Sequence, residues 1–415
     1  MKLAAFLLGT VLFLSVPRPA CATDWPQWRG PNRDGVSRDK NWSAEWPASG
    51  PAKLWRAEIG VGYGSMAVAN GKVYVMGNTA DTDHVFCFDA QTGKQIWKHS
   101  YPCPAKDPNG YPGPRGTPTV HGKFVYSVSR EGHLFCLDAN NGNVIWQKDY
   151  QADYNAKPPQ WGFSTSPLVV ENIVIAETGA PGASTVAFEK NSGKEIWKVG
   201  DDEAGYSSPV SFTHKGQPAI AIFTAKTLVA RSLKDGAELW RIPWKTSYDV
   251  NAATPIIHGN TIFISSGYGV GCALYDFSKA PPVELWRNKK MKNQVNSSVL
   301  WDGFLYGFDG QAGRGFLKCL DFKTGEEKWE HEGFGTGSVI VADGKLIIYG
   351  DKGQLATAEA TPADFEEISR AQPVEVRKDL PRDTKGDTWA LPVLANGMIY
   401  LRNLDEIVCL DVRAK

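Results

Sequence analysis

Short apolar runs broken by tight polar turns recur along almost the whole chain. SMAVANGKVYV (65–75) has the form of an apolar strand, an Asn-Gly turn and a second apolar strand. The same form returns at GTPTVHGKFVYSV (116–128), SPLVVENIVIA (166–176), ATPIIHGNTIFI (253–264), SSVLWDGFLYGF (297–308), SVIVADGKLIIYG (338–350) and LPVLANGMIYL (391–401), and more loosely at SPVSFTHKGQPAIAI (208–222). The Asn-Gly, His-Gly and Asp-Gly pairs suit two-residue hairpin turns, whose central residues take positive φ.

A second phrase follows each hairpin. CFDAQTGKQIWK (87–98) reappears as CLDANNGNVIWQ (136–147), AFEKNSGKEIWK (187–198) and CLDFKTGEEKWE (319–330). The spacing Asp-x-x-x-Gly-x-x-x-Trp holds at Asp89/Gly93/Trp97, Asp138/Gly142/Trp146 and Asp321/Gly325/Trp329. Glu189/Gly193/Trp197 and Ser232/Gly236/Trp240 keep it with a different first residue. The stretch from Asp276 to Trp286 is longer and holds Pro281-Pro282, and the unit near ADFEEISR (363–370) has no Trp. The phrase reads as a strand end, an Asp-capped turn in which Gly takes the left-handed φ, and a strand whose Trp packs between units.

Each unit, roughly 40–50 residues long, therefore offers four antiparallel strands, the signature of a propeller blade. The last unit reaches VCLDV (408–412) without a Trp strand, whereas GPAKLWRAE (50–58) has Trp55 and no hairpin before it. Pairing the two fragments closes a ring and removes the exposed sheet edges. The pattern predicts an all-β, eight-bladed β-propeller of four-stranded blades over residues 50–415, preceded by an arm over 23–49.

Composition changes this picture little. The net charge is +0 and the pI about 7.0, which argues against a nucleic-acid footprint, although totals do not exclude a local basic patch. Fifteen Trp, 42 Gly and 26 Pro fit a turn-rich β protein. Lys2, the apolar run LAAFLLGTVLFLSV and Ala20-Cys21-Ala22 read as an export signal over residues 1–22, with lipid attachment at Cys21 the lesser alternative. No other stretch is long and apolar enough to span a bilayer. Export permits disulfides, but Cys87, Cys136, Cys319 and Cys409 share one repeat position and read as small core residues. Cys103 and Cys272 lie outside that pattern.

With these residues in view, the chain resembles the pyrroloquinoline-quinone (PQQ) repeat family over about residues 50–412. The leader DWPQWRGPNRDGVS (24–37) is similar to the segment preceding such propellers in exported proteins of planctomycete-type bacteria. Taken by itself, it reads as an arm whose Trp25 and Trp28 pack on the propeller wall. The resemblance implies one of two functions. Quinoprotein dehydrogenases bind PQQ and Ca²⁺ at the propeller axis, whereas the assembly protein BamB uses the same ring for protein contacts without a cofactor. Here there is no adjacent Cys pair and no C-x-x-C-H haem site. The expectation is an exported binding or assembly module, monomeric, periplasmic or extracellular, with an envelope or extracellular protein partner and no required cofactor. A PQQ- and Ca²⁺-dependent dehydrogenase is the alternative, and a small-ligand or glycan binder the second alternative.

The innermost strands converge on the axis, and a column of small residues is expected there: Ser65, Gly116, Ser166, Ser208, Ala253, Ser297 and Ser338, with Leu391 in the last blade. Around it, Tyr63, Arg115, Trp161, Tyr206, Asn251, Asn296 and Trp389 are candidates for a cofactor site or a channel mouth. Arg115 suits carboxylates, Trp161 or Trp389 suits stacking, and Asn251, Asn296 and Asp387 offer oxygens to calcium. Asp387 is the one candidate for a catalytic base in the dehydrogenase reading. The seven His show no zinc-type spacing.

Overall fold

The computed structural model describes residues 23–105, 110–311, 314–376 and 388–414. The expected export signal and Asp387 lie outside the described residues.

Eight sheets follow one another around an axis, each built on four strands in simple up-and-down order, one of them extended by a short fifth strand. Blade 1 comprises Ala67–Ala69, Lys72–Thr79, Thr82–Asp89 and Gln95–Pro102. Its inner hairpin turns on Asn70 and Gly71, both with the positive φ that the sequence required. Blades 2–7 repeat the plan. Blade 8 is assembled from both ends: Val393–Ala395, Met398–Arg402 and Glu406–Asp411 are completed by Ala52–Glu58. Trp55 pairs with Cys409 in that antiparallel ladder, so the ring closes between its third and fourth strands.

The Trp of one blade packs on the next. Trp97 of blade 1 donates from Nε1 to the carbonyl of Ala139 in blade 2 at 3.1 Å. It also lies against Gly142, where an added Cβ would come within 2.6 Å of the indole. Trp55 on Gly93, Trp146 on Gly193, Trp197 on Gly236 and Trp286 on Gly325 repeat the contact. The repeat Gly therefore has two duties, a left-handed φ and room for a neighbour's indole.

Two of the repeat tryptophans depart from this contact, because the blade that each one faces has no Gly at the motif position. Trp240 faces blade 5 and stacks on Phe277, with ring centroids 5.6 Å apart. Trp329 holds the full Asp-x-x-x-Gly-x-x-x-Trp spacing within its own blade 6, yet it faces the degenerate blade 7. There its indole meets Phe365 edge-on at 5.8 Å, and Nε1 donates to the Thr361 carbonyl at 2.8 Å. Trp329 thus packs between blades as the sequence predicts, but against an aromatic ring and not a glycine. Blade 7 in turn has no Trp on its outer strand Glu367–Ala371. Trp42 and Trp46 of the arm enter the hydrophobic cluster there, together with Ile368.

The cysteines at the repeat position are buried and free, as are Cys103 and Cys272. Cys87 lies between Tyr74 and Trp97 on the two flanking strands, and Cys319 between Tyr306 and Trp329. Cys136 and Cys409 sit likewise between a Tyr and a Trp.

The leader does not pack on the outer wall. It lies across the axial channel and touches the inner strand, or the residues leading into it, of every blade. Trp25 exchanges backbone hydrogen bonds with Val68 of blade 1, and the Pro26 carbonyl accepts from Val120 of blade 2. Arg33 reaches the carbonyls of Ser166 and Pro209 in blades 3 and 4. Trp28 donates to Thr254 in blade 5, and Arg29 to the Ser298 carbonyl in blade 6. Val36–Ser37 adds a parallel strand to blade 7, and Ser37 donates to the Leu394 carbonyl in blade 8. The channel can hold this segment because its lining residues are small.

Candidate functional site

Above the leader the channel opens into one cavity of about 180 Å³. Its walls come mainly from the connections that enter the inner strands. These supply Tyr63 before blade 1, Tyr111 and Arg115 before blade 2, Trp161 before blade 3, Tyr206 before blade 4, Asn296 before blade 6 and Trp389 before blade 8. Tyr268, in the turn between the second and third strands of blade 5, completes the wall.

The aromatic rings form two groups. Tyr63, Tyr111 and Trp389 meet with centroids 5.3–6.0 Å apart, Tyr111 and Trp389 being stacked. Trp161 packs edge-on to Tyr206 at 5.8 Å and to Tyr248 at 6.2 Å, and Tyr248 meets Tyr268 at 5.6 Å. Tyr248 is 63% exposed and holds φ of 60°, so it stands at the rim in a backbone conformation that is costly for a tyrosine. Burial pushes the Tyr206 hydroxyl up to about 12, so it remains a neutral donor and acceptor.

Buried polar groups fix this wall. Fully buried Arg402 donates to the carbonyls of Gly64 and Gly60, holding the segment that carries Tyr63. Arg115 donates to the carbonyls of Gly113 and Tyr111, tying its own loop into a tight curve. A ring of hydroxyls joins adjacent inner strands below. Ser65 N–H donates to Thr117 Oγ1 at 3.0 Å, Thr117 to Ser166 Oγ at 2.9 Å, and Ser166 to Ser208 Oγ at 2.9 Å. On the far side Thr254 N–H donates to Ser297 Oγ at 2.8 Å. The expected small column is thus shifted by one residue in two blades. Thr117 and Thr254, not Gly116 and Ala253, hold the ring position, because the bond needs a hydroxyl.

Of the residues named from sequence, Tyr63, Arg115, Trp161, Tyr206, Asn296 and Trp389 are brought to this one cavity. Asn251 is not among its lining residues. It is fully buried, its Nδ2 donates to the carbonyls of Thr224, Ala225 and Trp244, and its Oδ1 accepts from Ser266. Its amide holds blades 4 and 5 together and offers calcium nothing. Asn296 donates from Nδ2 to the Gly337 carbonyl at 2.9 Å. Among the described residues no carboxylate lines the cavity, and no cluster of three His, Cys, Asp or Glu side chains could hold a metal. Trp389 Nε1 is buried without a hydrogen-bond partner among the described residues, a donor open to a bound group.

Sequence reasoning missed Tyr111, Tyr268 and Gln294 and set Trp28 aside. Tyr111 sits in the Gly/Pro-rich NGYPGPRG, and an aromatic in such a loop just before an inner strand was a usable signal. Tyr268 had none, because it enters from the turn between the second and third strands, where the repeat carries no aromatic in the other blades.

Known proteins share this architecture. Residues 46–111 and 83–331 match the family described as outer membrane protein assembly factor BamB, which is well over half of the 415 residues. The BamB of Marinobacter adhaerens is 23% identical over 137 residues, which is 32% of this chain and 32% of that protein. Among solved structures, BamB of Moraxella catarrhalis superposes with a TM-score of 0.58 at 14% identity, covering 86% of this chain and 98% of that one. A europium-containing methanol dehydrogenase gives a TM-score of 0.67 at 12% identity, covering 91% and 89%. The quinohemoprotein alcohol dehydrogenase ADHIIG of Pseudomonas putida gives 0.67 at 13% identity, covering 95% and 81%. At these identities the structures share the fold, and the family match goes further: this chain belongs to the PQQ-repeat β-propellers of the BamB family.

Proposed function

We propose that the chain is an exported binding module of the cell envelope, without redox chemistry of its own, that grips a protein partner at the axial cavity. The observation that carries this reading is the gathering of six Tyr and Trp rings from separate blades around one cavity. Rigid aromatic rings provide large contact area at small entropic cost and are enriched where proteins bind partners. The BamB family match supports an assembly role, and among the described residues no helix is long and apolar enough to cross a membrane. The test is photo-crosslinking from position 248, at the rim, in envelope extract. A discrete adduct that Trp389→Ala and Trp161→Ala both abolish supports the reading. An adduct that survives both variants sinks it.

A quinone-dependent dehydrogenase is the second reading, favoured by Arg115 and two indoles in the cavity. Arg115 would meet the carboxylates of PQQ, and Trp161 or Trp389 would cover its ring face. When bound, PQQ would supply two-electron oxidation of an alcohol. The residues fit the quinone better than the calcium, because Asn251 is spent on backbone carbonyls and the cavity has no described carboxylate. Calorimetric titration of PQQ with Ca²⁺ separates the readings. Saturable one-to-one binding lost in Arg115→Ala favours the dehydrogenase, and no heat leaves the binding module.

A further inference from the structure

We infer that the protein partner leaves the axial cavity over blades 5 and 6, through a basic cleft that takes an extended acidic segment of its chain. This rests on the axial-cavity reading above and adds to it the charge and the path of what is gripped.

The cleft lies on the mouth face. The connection 289–298 runs from the outer strand of blade 5, Val283–Asn288, to the inner strand of blade 6, Val299–Trp301. It therefore leads radially from the rim to the axis. Lys292 of this connection, Tyr268 and Gly269 of blade 5, and Gly310, Gln311 and Arg314 of blade 6 bound a cleft of about 340 Å³. Tyr268 lines the axial cavity as well, so the two spaces meet at its ring. Gln294, also a cavity residue, donates to the Tyr268 hydroxyl at 3.3 Å and holds the ring at that junction. A Cβ on Gly269 would meet nothing within 4 Å, so the backbone there is open to an approaching main chain.

The connection presents its lysines from a fixed backbone. Met291 and Asn293 are buried and alternate with Lys290 and Lys292. Ser265 Oγ donates to the Met291 carbonyl at 2.9 Å and accepts from Asn293 N–H at 3.0 Å. Asn293 Nδ2 donates to the Phe308 carbonyl at 2.9 Å. Lys289, Lys290 and Arg314 are exposed, and none has a carboxylate partner among the described residues. Lys292 bonds Asp309 at 2.8 Å, but that carboxylate is shared with Lys318 at 3.5 Å. A positive excess therefore remains at the cleft. Elsewhere on the same face charges cancel locally, Asp202 against Arg231 and Arg241, and Glu203 against Lys226. An uncancelled positive cleft beside an aromatic cavity fits a chain with an apolar anchor and an acidic continuation. Its radial line has the shape of an extended chain and not of a flat bilayer.

The experiment titrates the full chain with two synthetic peptides that share a Tyr-Phe-Gly head and end in six aspartates or six asparagines. The acidic tail is expected to bind about tenfold more tightly at low salt, and to lose that advantage at about 1 M salt. Lys290→Gln with Arg314→Gln should erase the advantage and leave the asparagine peptide unchanged. Lys157→Gln with Lys245→Gln removes two exposed lysines of the same face outside the cleft and should keep it. Equal affinities for the two peptides in the unmodified chain would overturn the inference. If Trp161→Ala and Trp389→Ala then weakened both, the cavity reading would stand. Equal affinities together with cleft-dependent capture of phosphatidylglycerol vesicles would give the cleft to a membrane. An advantage lost equally in both double variants would mark a diffuse field and overturn the cleft. Both peptides unaffected by Trp161→Ala and Trp389→Ala, with the advantage still lost in the cleft variant, would overturn the cavity reading but keep the acidic segment. No binding of either peptide at millimolar concentration would overturn both.

Discussion

Trp55 lies directly opposite Cys409 on the neighbouring strand, so the first propeller strand completes the sheet that the last hairpin leaves open. The indole then reaches past its own blade, donating to the Ala90 carbonyl of blade 1 at 3.0 Å and covering Gly93. One side chain thus joins both ends of the chain to the start of the ring. Trp55→Ala should cost about 3–5 kcal/mol, the range for emptying a buried Trp site. The check is urea denaturation, with amide hydrogen exchange over 406–411 rising more than in blades 3 and 4.

The double duty of the repeat glycine is testable by comparison. Gly142 and Gly122 both hold positive φ, at 75° and 61°. A Cβ on Gly122 would meet nothing within 4 Å, whereas one on Gly142 would strike Trp97 at 2.6 Å. Gly122→Ala should cost about 1 kcal/mol from backbone strain alone. Gly142→Ala should cost at least about 1 kcal/mol more, because the indole must leave its place. Equal melting temperatures for the two variants would contradict this account of the motif.

Glu177 is a buried carboxyl near the cavity wall. One oxygen accepts from Gly205 N–H at 2.9 Å, next to Tyr206, and Oε2 has no partner among the described residues. Burial pushes its pKa up to about 8. The folded chain therefore holds a proton there that the unfolded chain releases near pH 4.5. Between these values stability falls as pH rises, and the full penalty is present above about pH 8. Glu177→Gln should match the parent protein in stability at pH 4 and exceed it at pH 8.5 by an amount on the order of a few kcal/mol. Melting curves across that window provide the check.

The cysteines should be silent in the folded protein. Burial pushes Cys87, Cys136, Cys272, Cys319 and Cys409 up to about 12. Thiolate, the reactive form, is then scarce at pH 8, and the sulfurs are out of reach of reagents. Ellman's reagent should give almost no colour with native protein at pH 8 and full colour in guanidinium. Rapid release of colour from native protein would show that the blades open locally.

The fold was legible because a propeller is a repeat, and each blade writes the same local chemistry into the chain. Asn-Gly and Asp-Gly hairpins, an Asp whose carboxylate caps the next turn, and a Trp at fixed spacing are all short-range demands. Asp89 shows this directly, its Oδ1 accepting from the N–H groups of Gln91 and Thr92. Even the closure through Trp55 followed from counting strands at the two ends. Six of the seven mouth candidates were legible for the same reason, since the residues just before each inner strand must converge on the axis.

What sequence could not determine depends on contacts without a period. Trp329 has the repeat spacing of its own blade, but the surface it packs on belongs to the next blade, where the motif has decayed and Phe365 stands in for the glycine. Asn251 occupies a mouth position in the repeat, yet its side chain turns inward to three carbonyls that sequence cannot place near it. Trp42 and Trp46 fill a place that blade 7 leaves without a Trp, from a distance along the chain that no spacing rule covers. The leader is the largest case. Its composition shows aromatic and basic residues suited to burial, but a single unrepeated segment has no register of its own. Only the assembled ring, with a channel wide enough for backbone and lined by carbonyls that need donors, decided that Trp28 and Arg33 would lie at its centre.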